Sequence, residues 1–370
     1  MDIDNNQKFG GLISQLINKT DLSEAQSYEA FCMVLNNEVT EMQQGAFLAA
    51  LTSKGESAPE VAGGWRAIYD LDTTKTHLRC ADEVVDNCGT GMDSFKTFNI
   101  STAASIIAAA GGVKVARHGA RAISSTCGTV DIAESLGVDV ECSVDIVANS
   151  IETTGLGLFN GMSPQVHPLA LGRILSQIRF GSPLNIAASL ANPALPRYGV
   201  RGVYSRELLM PVARVMDSIG YLDAMVMYGS IEGSDKGMDE ASVCGTTYGV
   251  RLHGGTLTEF SFTPEDCGLI QHQPEELAPE TDRQEAAKQM LALLAGQING
   301  AKRDAILLNS ACIFHLRGLC TTMKEGVKMA DAILTSGKAL QLLHEWVRAQ
   351  SSDREASLSR LEKLKSEVLN

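Results

Sequence analysis

The pattern of apolar residues changes near residue 82, and this change constrains the fold more than any other feature of the chain. Before it, apolar side chains recur at helical spacing, as at Phe9, Leu12 and Leu16, and no β-prone run is present. Ser23 has a side chain that favours a helix start, and it precedes the next apolar set. The pattern over residues 1–75 therefore predicts a small all-helical domain.

Beyond residue 82, short β-prone runs alternate with helical segments. The runs with strand character are Glu83–Cys88, Val113–Ala116, Gly157–Phe159, Tyr198–Tyr204 and Ala224–Tyr228. Such alternation is typical of an α/β domain with a mainly parallel central sheet. We place this larger domain at residues 76–164 and 191–350, and we assign a helical segment at about 165–190 to the helical domain.

Two segments near the C-terminus have patterns of their own. Residues 243–262 alternate apolar and polar side chains around Gly254 and Gly255, which predicts an antiparallel hairpin. A helical pattern then returns and includes residues 323–347. Residues 351–370 are rich in charge and predict a frayed tail.

The charge balance limits the kinds of partner the chain can have. The net charge is −13, from 31 Lys and Arg against 44 Asp and Glu. This disfavours nucleic acid and anionic membranes, since either needs a basic surface. Nine Cys, an odd number without a Cys-x-x-Cys pair, indicate reduced thiols. The acidic N-terminus lacks an apolar run, and the small-apolar stretch 103–112 is too short to span a bilayer, so we expect a soluble, cytoplasmic protein.

A glycine-rich loop follows the first predicted strand. Gly89-Thr90-Gly91-Met92-Asp93 leads to Thr97-Phe98-Asn99-Ile100-Ser101-Thr102, which opens a helix. The glycines let backbone N–H groups approach an anion, and the helix N-terminus carries partial positive charge. Asp93 is well placed to reach a metal-bound phosphate. An ordinary glycine turn with a helix cap explains the same residues about as well.

A second polar loop follows the next predicted strand. It holds Arg117-His118-Gly119-Ala120-Arg121, then Ser124, Ser125 and Thr129. Two arginines with three hydroxyls near the carboxyl end of a strand form an anion cradle beside the first loop. The alternative is a solvated basic loop, which the nearby first loop disfavours.

Two further features of the sequence indicate a binding role only if they lie beside these loops. Asp239 and Glu240 are adjacent carboxylates that could be plain surface charge. Next to phosphate loops they suit Mg²⁺, which takes one or two carboxylates together with substrate phosphates. A lone Arg on a helix, such as Arg173, is usually solvated or salt-bridged. It becomes a candidate binding residue only if its helix faces the two loops.

In order and in kind, these motifs resemble the anthranilate phosphoribosyltransferase family. Gly89–Asp93 matches the family's G-T-G-G-D loop, Asn99–Thr102 its N-I-S-T, and Arg117–Ser125 its K-H-G-N-R-x-x-S-S. Gly237–Glu240 reproduces G-M-D-E. The resemblance extends from about residue 10 to 350, nearly the whole chain.

The resemblance implies a Mg²⁺-dependent transfer of the phosphoribosyl group from 5-phosphoribosyl 1-pyrophosphate (PRPP) to the amine of anthranilate, in tryptophan biosynthesis. It also implies an active site in the cleft between the two domains and a homodimer formed through the helical domain. No acid or base residue is assigned, because an aniline-type nitrogen is nucleophilic while neutral.

The family's site residues carry over by position. Those implied to bind PRPP are Gly89, Met92, Asp93, Thr97, Asn99, Ile100, Ser101, Thr102, Arg117, Ser124, Ser125 and Thr129. Those implied to bind the acceptor are Gly89, Ala120 and Arg173. Those implied to hold Mg²⁺ are Ser101, Asp239 and Glu240.

The sequence departs from the family mainly on the acceptor side. Ala120 stands where the family has Asn, Met92 where it has Gly, and the spacing from His167 to Arg173 is about four residues shorter. Four residues are close to one helical turn, so we expect Arg173 to keep its face. These departures leave open a different aromatic acceptor. A nucleoside phosphorylase and a non-enzymatic nucleic-acid-binding homologue are less favoured, by Gly237–Glu240 and by the acidic charge respectively.

Overall fold

The N-terminal part of the chain is helical, as its sequence predicts. The computed structural model describes residues 3–91, 93–122, 127–178 and 180–369. Its first elements are α1 (Ile3–Ile17), α2 (Glu24–Leu35), α3 (Glu41–Lys54) and α4 (Ala58–Leu71). Ser23 caps α2 by accepting a hydrogen bond from the N–H of Gln26 at 3.2 Å, and Thr40 caps α3 in the same way. The helix starts therefore lie where the polar caps precede the apolar sets.

Strands and helices alternate after α4. In chain order they are β1 (Val85–Gly89), α5 (Ile100–Ala110), β2 (Val115–Gly119), α6 (Thr129–Ser135), α7 (Val144–Thr154), β3 (Leu156–Asn160), α8 (Leu171–Ile178), α9 (Pro183–Leu190), β4 (Tyr198–Gly202), α10 (Leu209–Ser218), β5 (Asp223–Ser230), β6 (Gly237–Met238), β7 (Thr247–His253), β8 (Thr256–Phe262), α11 (Arg283–Leu294), α12 (Ala301–Leu316), α13 (Met323–Thr335), α14 (Lys338–Ala349) and α15 (Arg354–Val368). Short 3₁₀ turns complete the connections.

The strands form one mainly parallel sheet, which confirms the predicted fold class. Its order is β3-β2-β1-β4-β5-β7-β8, with β6 paired to β5. Strands β1 to β5 are parallel, whereas β7 and β8 form the predicted antiparallel hairpin. From β1 the chain moves outward to β2 and β3, and from β4 it moves the other way to β5. The carboxyl ends of β1 and β4 therefore meet at a switch point, where open α/β sheets bind their ligands.

Helices α8 and α9 pack with the N-terminal helices. Leu184 and Leu190 share a buried core with Phe31 and Phe47 of that bundle. The indole Nε1 of Trp65 also donates to the carbonyl of Leu190 at 2.9 Å. The helical segment between β3 and β4 thus lies against α1–α4, while it also borders the carboxyl ends of the strands.

The C-terminal segment is ordered rather than frayed, so that expectation was wrong. Residues Arg354–Val368 form α15, which Asp353 caps through the N–H of Ala356 at 3.1 Å. Leu361 and Leu364 are buried on one face of this helix, while its charges lie on the other. The high charge content of residues 351–370 obscured the apolar spacing that is typical of an amphipathic helix. The helical segment predicted over 323–347 consists of two helices, α13 and α14, separated at Gly337, whose φ of 76° is left-handed.

No helix in the described part of the chain is long and apolar enough to cross a membrane.

Candidate active site

Both predicted anion loops open into one cleft at the switch point of the sheet. The cleft has a volume of about 310 Å³, and helices α8 and α9 form its other wall. Many of the residues expected from the sequence line it. They are Gly89, Asp93, Thr97, Asn99, Ser101, Ala120, Thr129, Asp239 and Glu240.

Two glycines make room for Asp239. A Cβ atom at Gly89 would lie 2.0 Å from Oδ2 of Asp239, and one at Gly202 would lie 1.5 Å from its backbone oxygen. These glycines are partners in the pairing of β1 with β4. Oδ2 of Asp239 accepts a hydrogen bond from the N–H of Gly91 at 2.7 Å. The glycine loop and the acidic segment are thus held in direct contact.

Glu240 lies at the start of α5. Its Oε1 accepts a hydrogen bond from the N–H of Ser101 at 3.2 Å. Burial, together with the negative charge of Asp239, raises the pKa of Glu240 to about 8. Burial together with the charge of Asp93 raises the pKa of Asp239 to about 6. Three carboxylates therefore crowd one end of the cleft, with too little positive charge nearby to offset them.

This donor set suits a hard divalent cation. Carboxylate and hydroxyl oxygens are the protein ligands that Mg²⁺ prefers, and Mg²⁺ keeps open positions for water and phosphate. Asp239, Glu240 and Ser101 all line the cleft beside the N-terminus of α5. The residues present therefore fit the metal that the sequence implied.

Arg117 lies inside the sheet and not in a loop. It belongs to β2, and its side chain is 2% exposed. The guanidinium donates to the carbonyl of Asn87 at 3.0 Å, to Oγ1 of Thr102 at 2.5 Å and to Oγ of Ser101 at 2.8 Å. Arg117 therefore holds the Ser101 side chain through a hydrogen bond, and it is not among the described residues that line the cleft.

Two other residues assigned to PRPP are also turned away from the cleft. Ile100 and Thr102 are buried in the first turn of α5, where Thr102 accepts the hydrogen bond from Arg117. The second arginine of that loop, Arg121, binds the carboxylates of Glu134, Asp131 and Glu141. The basic loop expected from the sequence is thus largely neutralised.

Arg173 does not reach the cleft, contrary to the expectation that it keeps its face. Its Nη1 lies 3.3 Å from Oε1 of Gln44, and its Nη2 lies 3.4 Å from the carbonyl of Val34. The carboxylate of Asp72 accepts hydrogen bonds from the N–H groups that open α8 and so fixes the rotation of that helix. Leu171 and Leu175, four residues apart, then face the cleft. Arg173, about 200° around the helix from Leu171, faces the bundle.

The chain matches two domain models of one family along most of its length. The glycosyl transferase family a/b domain matches residues 81–340, and the glycosyl transferase family helical bundle domain matches residues 11–71. The anthranilate phosphoribosyltransferase of Desulfotalea psychrophila is 34% identical over 93% of this chain and 97% of its own. That of Methanothermobacter thermautotrophicus is 33% identical over 92% of this chain and 97% of its own.

The chain belongs to the anthranilate phosphoribosyltransferase family. The solved structure of the enzyme from Thermus thermophilus is similar to this chain with a TM-score of 0.81 and 31% identity. The similarity covers 92% of this chain and 99% of that structure. The enzyme from Saccharomyces cerevisiae in complex with PRPP and Mg, at 24% identity, shares the fold with a TM-score of 0.81. Membership of this family makes the protein a glycosyltransferase enzyme that transfers pentosyl groups.

The cleft of this phosphoribosyltransferase-family member also contains residues to which the sequence assigned no binding role. His118 lines the cleft, and its Nε2 lies 3.2 Å from Nε2 of His167. Burial lowers the pKa of His118 to about 3, so this imidazole is neutral. Asn185 and Ser189 of α9 also line the cleft. Their only sequence signal is a spacing of four residues, which places both on one face of a helix.

Three residues that the family resemblance assigned to PRPP lie outside the described residues. They are Met92, Ser124 and Ser125.

Proposed function

We propose that the protein transfers the phosphoribosyl group of PRPP to the amine of anthranilate and releases pyrophosphate. The observation that carries this proposal is the pair Asp239 and Glu240, held against the glycine loop and the N-terminus of α5. Carboxylates, backbone N–H groups and a helix N-terminus together suit a metal-bound diphosphate. The same cleft extends to α8 and α9, which leaves room for a second substrate.

The donor substrate takes the end of the cleft beside α5. Gly91 and the first turn of α5 border this end, where their N–H groups hold Asp239 and Glu240, and Thr97, Asn99 and Thr129 add polar groups around the proposed diphosphate. The proposed set of PRPP-binding residues also includes Asp93, Ile100, Thr102, Arg117, Met92, Ser124 and Ser125. Of these, Arg117 and Thr102 act through Ser101.

Ser101, Asp239 and Glu240 would hold Mg²⁺, which supplies charge stabilisation for the departing pyrophosphate. The protein itself binds and orients the two substrates and excludes water. The neutral aromatic amine attacks C1 of the ribose opposite the leaving group as the bond to pyrophosphate breaks, and the amine then loses a proton. Because that nitrogen is nucleophilic while neutral, no side chain has to act as a strong base.

The acceptor end is lined by apolar side chains with a few polar ones. Met162, Leu171, Leu175 and Ala188 provide flat apolar contact suited to an aromatic ring. Ala120, with Gly89, borders the same space. Arg173 lies outside it, which favours a different aromatic amine as the second candidate acceptor.

The proposal is tested by incubating the protein with PRPP, Mg²⁺ and anthranilate and following the loss of anthranilate fluorescence. We expect turnover that stops when EDTA removes the metal. PRPP binding in calorimetry without turnover would overturn anthranilate as the acceptor and leave the second candidate. Absence of PRPP binding would overturn phosphoribosyl transfer itself.

The assembly and location of the protein belong to the same proposal. We infer a homodimer through the helical domain, supported by exposed apolar side chains there: Ile17 is 65% exposed, Met42 85% and Phe180 42%. A contiguous apolar patch formed by such side chains would mark a protein interface. Light scattering should give twice the chain mass, and a monomer at all concentrations would contradict the dimer. The proposed location is the cytoplasm.

A further inference from the structure

The first turn of α9 presents an amide group to the acceptor end of the cleft. Oδ1 of Asn185 accepts a hydrogen bond from the N–H of Ser182 at 2.9 Å. Because a backbone N–H can only donate, this contact fixes which end of the amide faces the helix start. The NH₂ group is left with two donors and has no hydrogen-bond partner among the described residues, while Asn185 borders the cleft.

Contacts between α9 and β2 place Asn185 along the cleft. Nδ2 of Asn192 donates to the carbonyl of Ala116 at 2.9 Å. One turn back, the carbonyl of Ser189 lies 3.3 Å from Nδ1 of His118. Asn192 follows the end of α9, so both contacts hold the C-terminal end of this helix against β2.

Asn185 and Ala120 border the same cleft. Ala120 has no polar side-chain atom, whereas Asn185 offers an NH₂ group as a hydrogen-bond donor.

The positive charges near this end differ in their partners among the described residues. Arg121 is bound to three carboxylates, and Nζ of Lys96 lies 2.9 Å from Oδ1 of Asp93. Arg173 contacts the neutral amide of Gln44, and the buried Arg201 donates to Oγ of Ser189 at 3.2 Å. His118 is neutral. A carboxylate entering this space needs donors to offset its lost hydration, and neutral N–H groups provide them.

We propose that Asn185 binds the carboxylate of the acceptor and so sets the specificity for an aromatic acid. This inference rests on the proposed function, since it assumes an acceptor that carries a carboxylate beside its amine. Ser189, one turn along the same face, borders the ring and completes the polar side of this subsite.

The test uses Asn185→Asp, which distinguishes the role of the amide oxygen from that of the amide NH₂ group. The variant keeps an oxygen to accept from Ser182, so α9 remains capped, but it replaces the NH₂ donors with a negatively charged oxygen. We expect the KM for anthranilate to rise about tenfold or more, in line with the loss of a hydrogen bond to a charged group. The KM for PRPP and the melting temperature should stay close to wild type.

Gln26→Glu is the matched control. The Gln26 side chain accepts from the N–H of Ser23 at 2.9 Å in the same kind of capping box, at the start of α2. This variant adds the same charge at the same position of a helix that does not border the cleft, and it should leave both KM values unchanged.

The outcomes separate the two proposals. An anthranilate KM within twofold of wild type in Asn185→Asp, with a folded protein, would overturn the role of Asn185 while phosphoribosyl transfer stands. An equal rise in the KM for anthranilate and for PRPP would also overturn it, because the effect would then be a general one of charge. Wild-type protein that binds PRPP but does not turn over anthranilate would overturn both the assigned acceptor and this inference.

Discussion

Substituting Gly202 by Ala is expected to displace the acidic segment of the site. The new Cβ would lie 1.5 Å from the backbone oxygen of Asp239 and 2.3 Å from its carbonyl carbon. Contacts of Cβ under 3.0 Å are essentially never seen, so the segment has to move by about 1.5 Å or β4 has to bend. The neighbouring hydrogen bond from the N–H of Thr90 to the carbonyl of Gly202, 2.9 Å long, resists that bend.

A displacement of this size has two measurable consequences. Overpacking of this kind costs about 1–3 kcal/mol in the free energy of unfolding, which chemical denaturation measures. A catalytic group misplaced by about 1 Å can lose about 10²-fold in rate. We therefore expect kcat/KM to fall by about 10²-fold and Mg²⁺ affinity, measured by calorimetry, to fall with it.

Gly172→Ala is the control for this prediction. Gly172 is exposed in α8, and a Cβ there would meet no atom within 4 Å. The same chemical change should be neutral or stabilising by about 0.5–1 kcal/mol, with unchanged turnover. Wild-type Mg²⁺ affinity and turnover in Gly202→Ala would refute the reasoning that the β1–β4 switch point positions Asp239.

Three further predictions concern the charges of the site and the C-terminal helix. Because Glu240 has a pKa raised from 4.5 to about 8, its favourable contribution is complete below about pH 4.5 and is lost as the pH rises through 8. Denaturation of the metal-free protein should therefore show stability falling from pH 6 to 9, with a smaller fall in Glu240→Gln; equal slopes would contradict this. Asp239→Asn combined with Glu240→Gln should weaken Mg²⁺-dependent turnover, and an unchanged Mg²⁺ titration would remove both residues from the metal site. Leu361→Ala should lower the free energy of unfolding by about 2–5 kcal/mol, as for a buried leucine; a loss under about 0.5 kcal/mol would indicate the frayed tail that the sequence predicts.

The sequence predicted the elements well where the signal is local. Helix caps such as Ser23, and the glycine pair of the β7–β8 hairpin, act over a few residues and can be recognised without knowing the fold. The α/β alternation likewise follows from periodicity. The loop Gly89–Asp93 could be placed before a helix for the same reason.

The sequence failed where a contact distant in the chain decides the outcome. Arg117 was placed in a loop because a guanidinium is usually solvated, yet three acceptors from β1 and α5 allow it to be buried. Arg173 was expected to face the cleft, but Asp72, about 100 residues earlier, fixes the rotation of α8. The closeness of Asp239 to Gly89 and Gly202 has no local signal at all.

The central claim is that this cleft carries out a Mg²⁺-dependent phosphoribosyl transfer to anthranilate. Phosphorus NMR of the protein with PRPP, Mg²⁺ and anthranilate tests it most directly, since it observes both phosphorus-containing products. The account predicts that the PRPP signals are replaced by those of free pyrophosphate and a new phosphate monoester, and only when anthranilate is present. PRPP signals that persist with anthranilate present, from protein that is folded and loaded with Mg²⁺, would contradict the account.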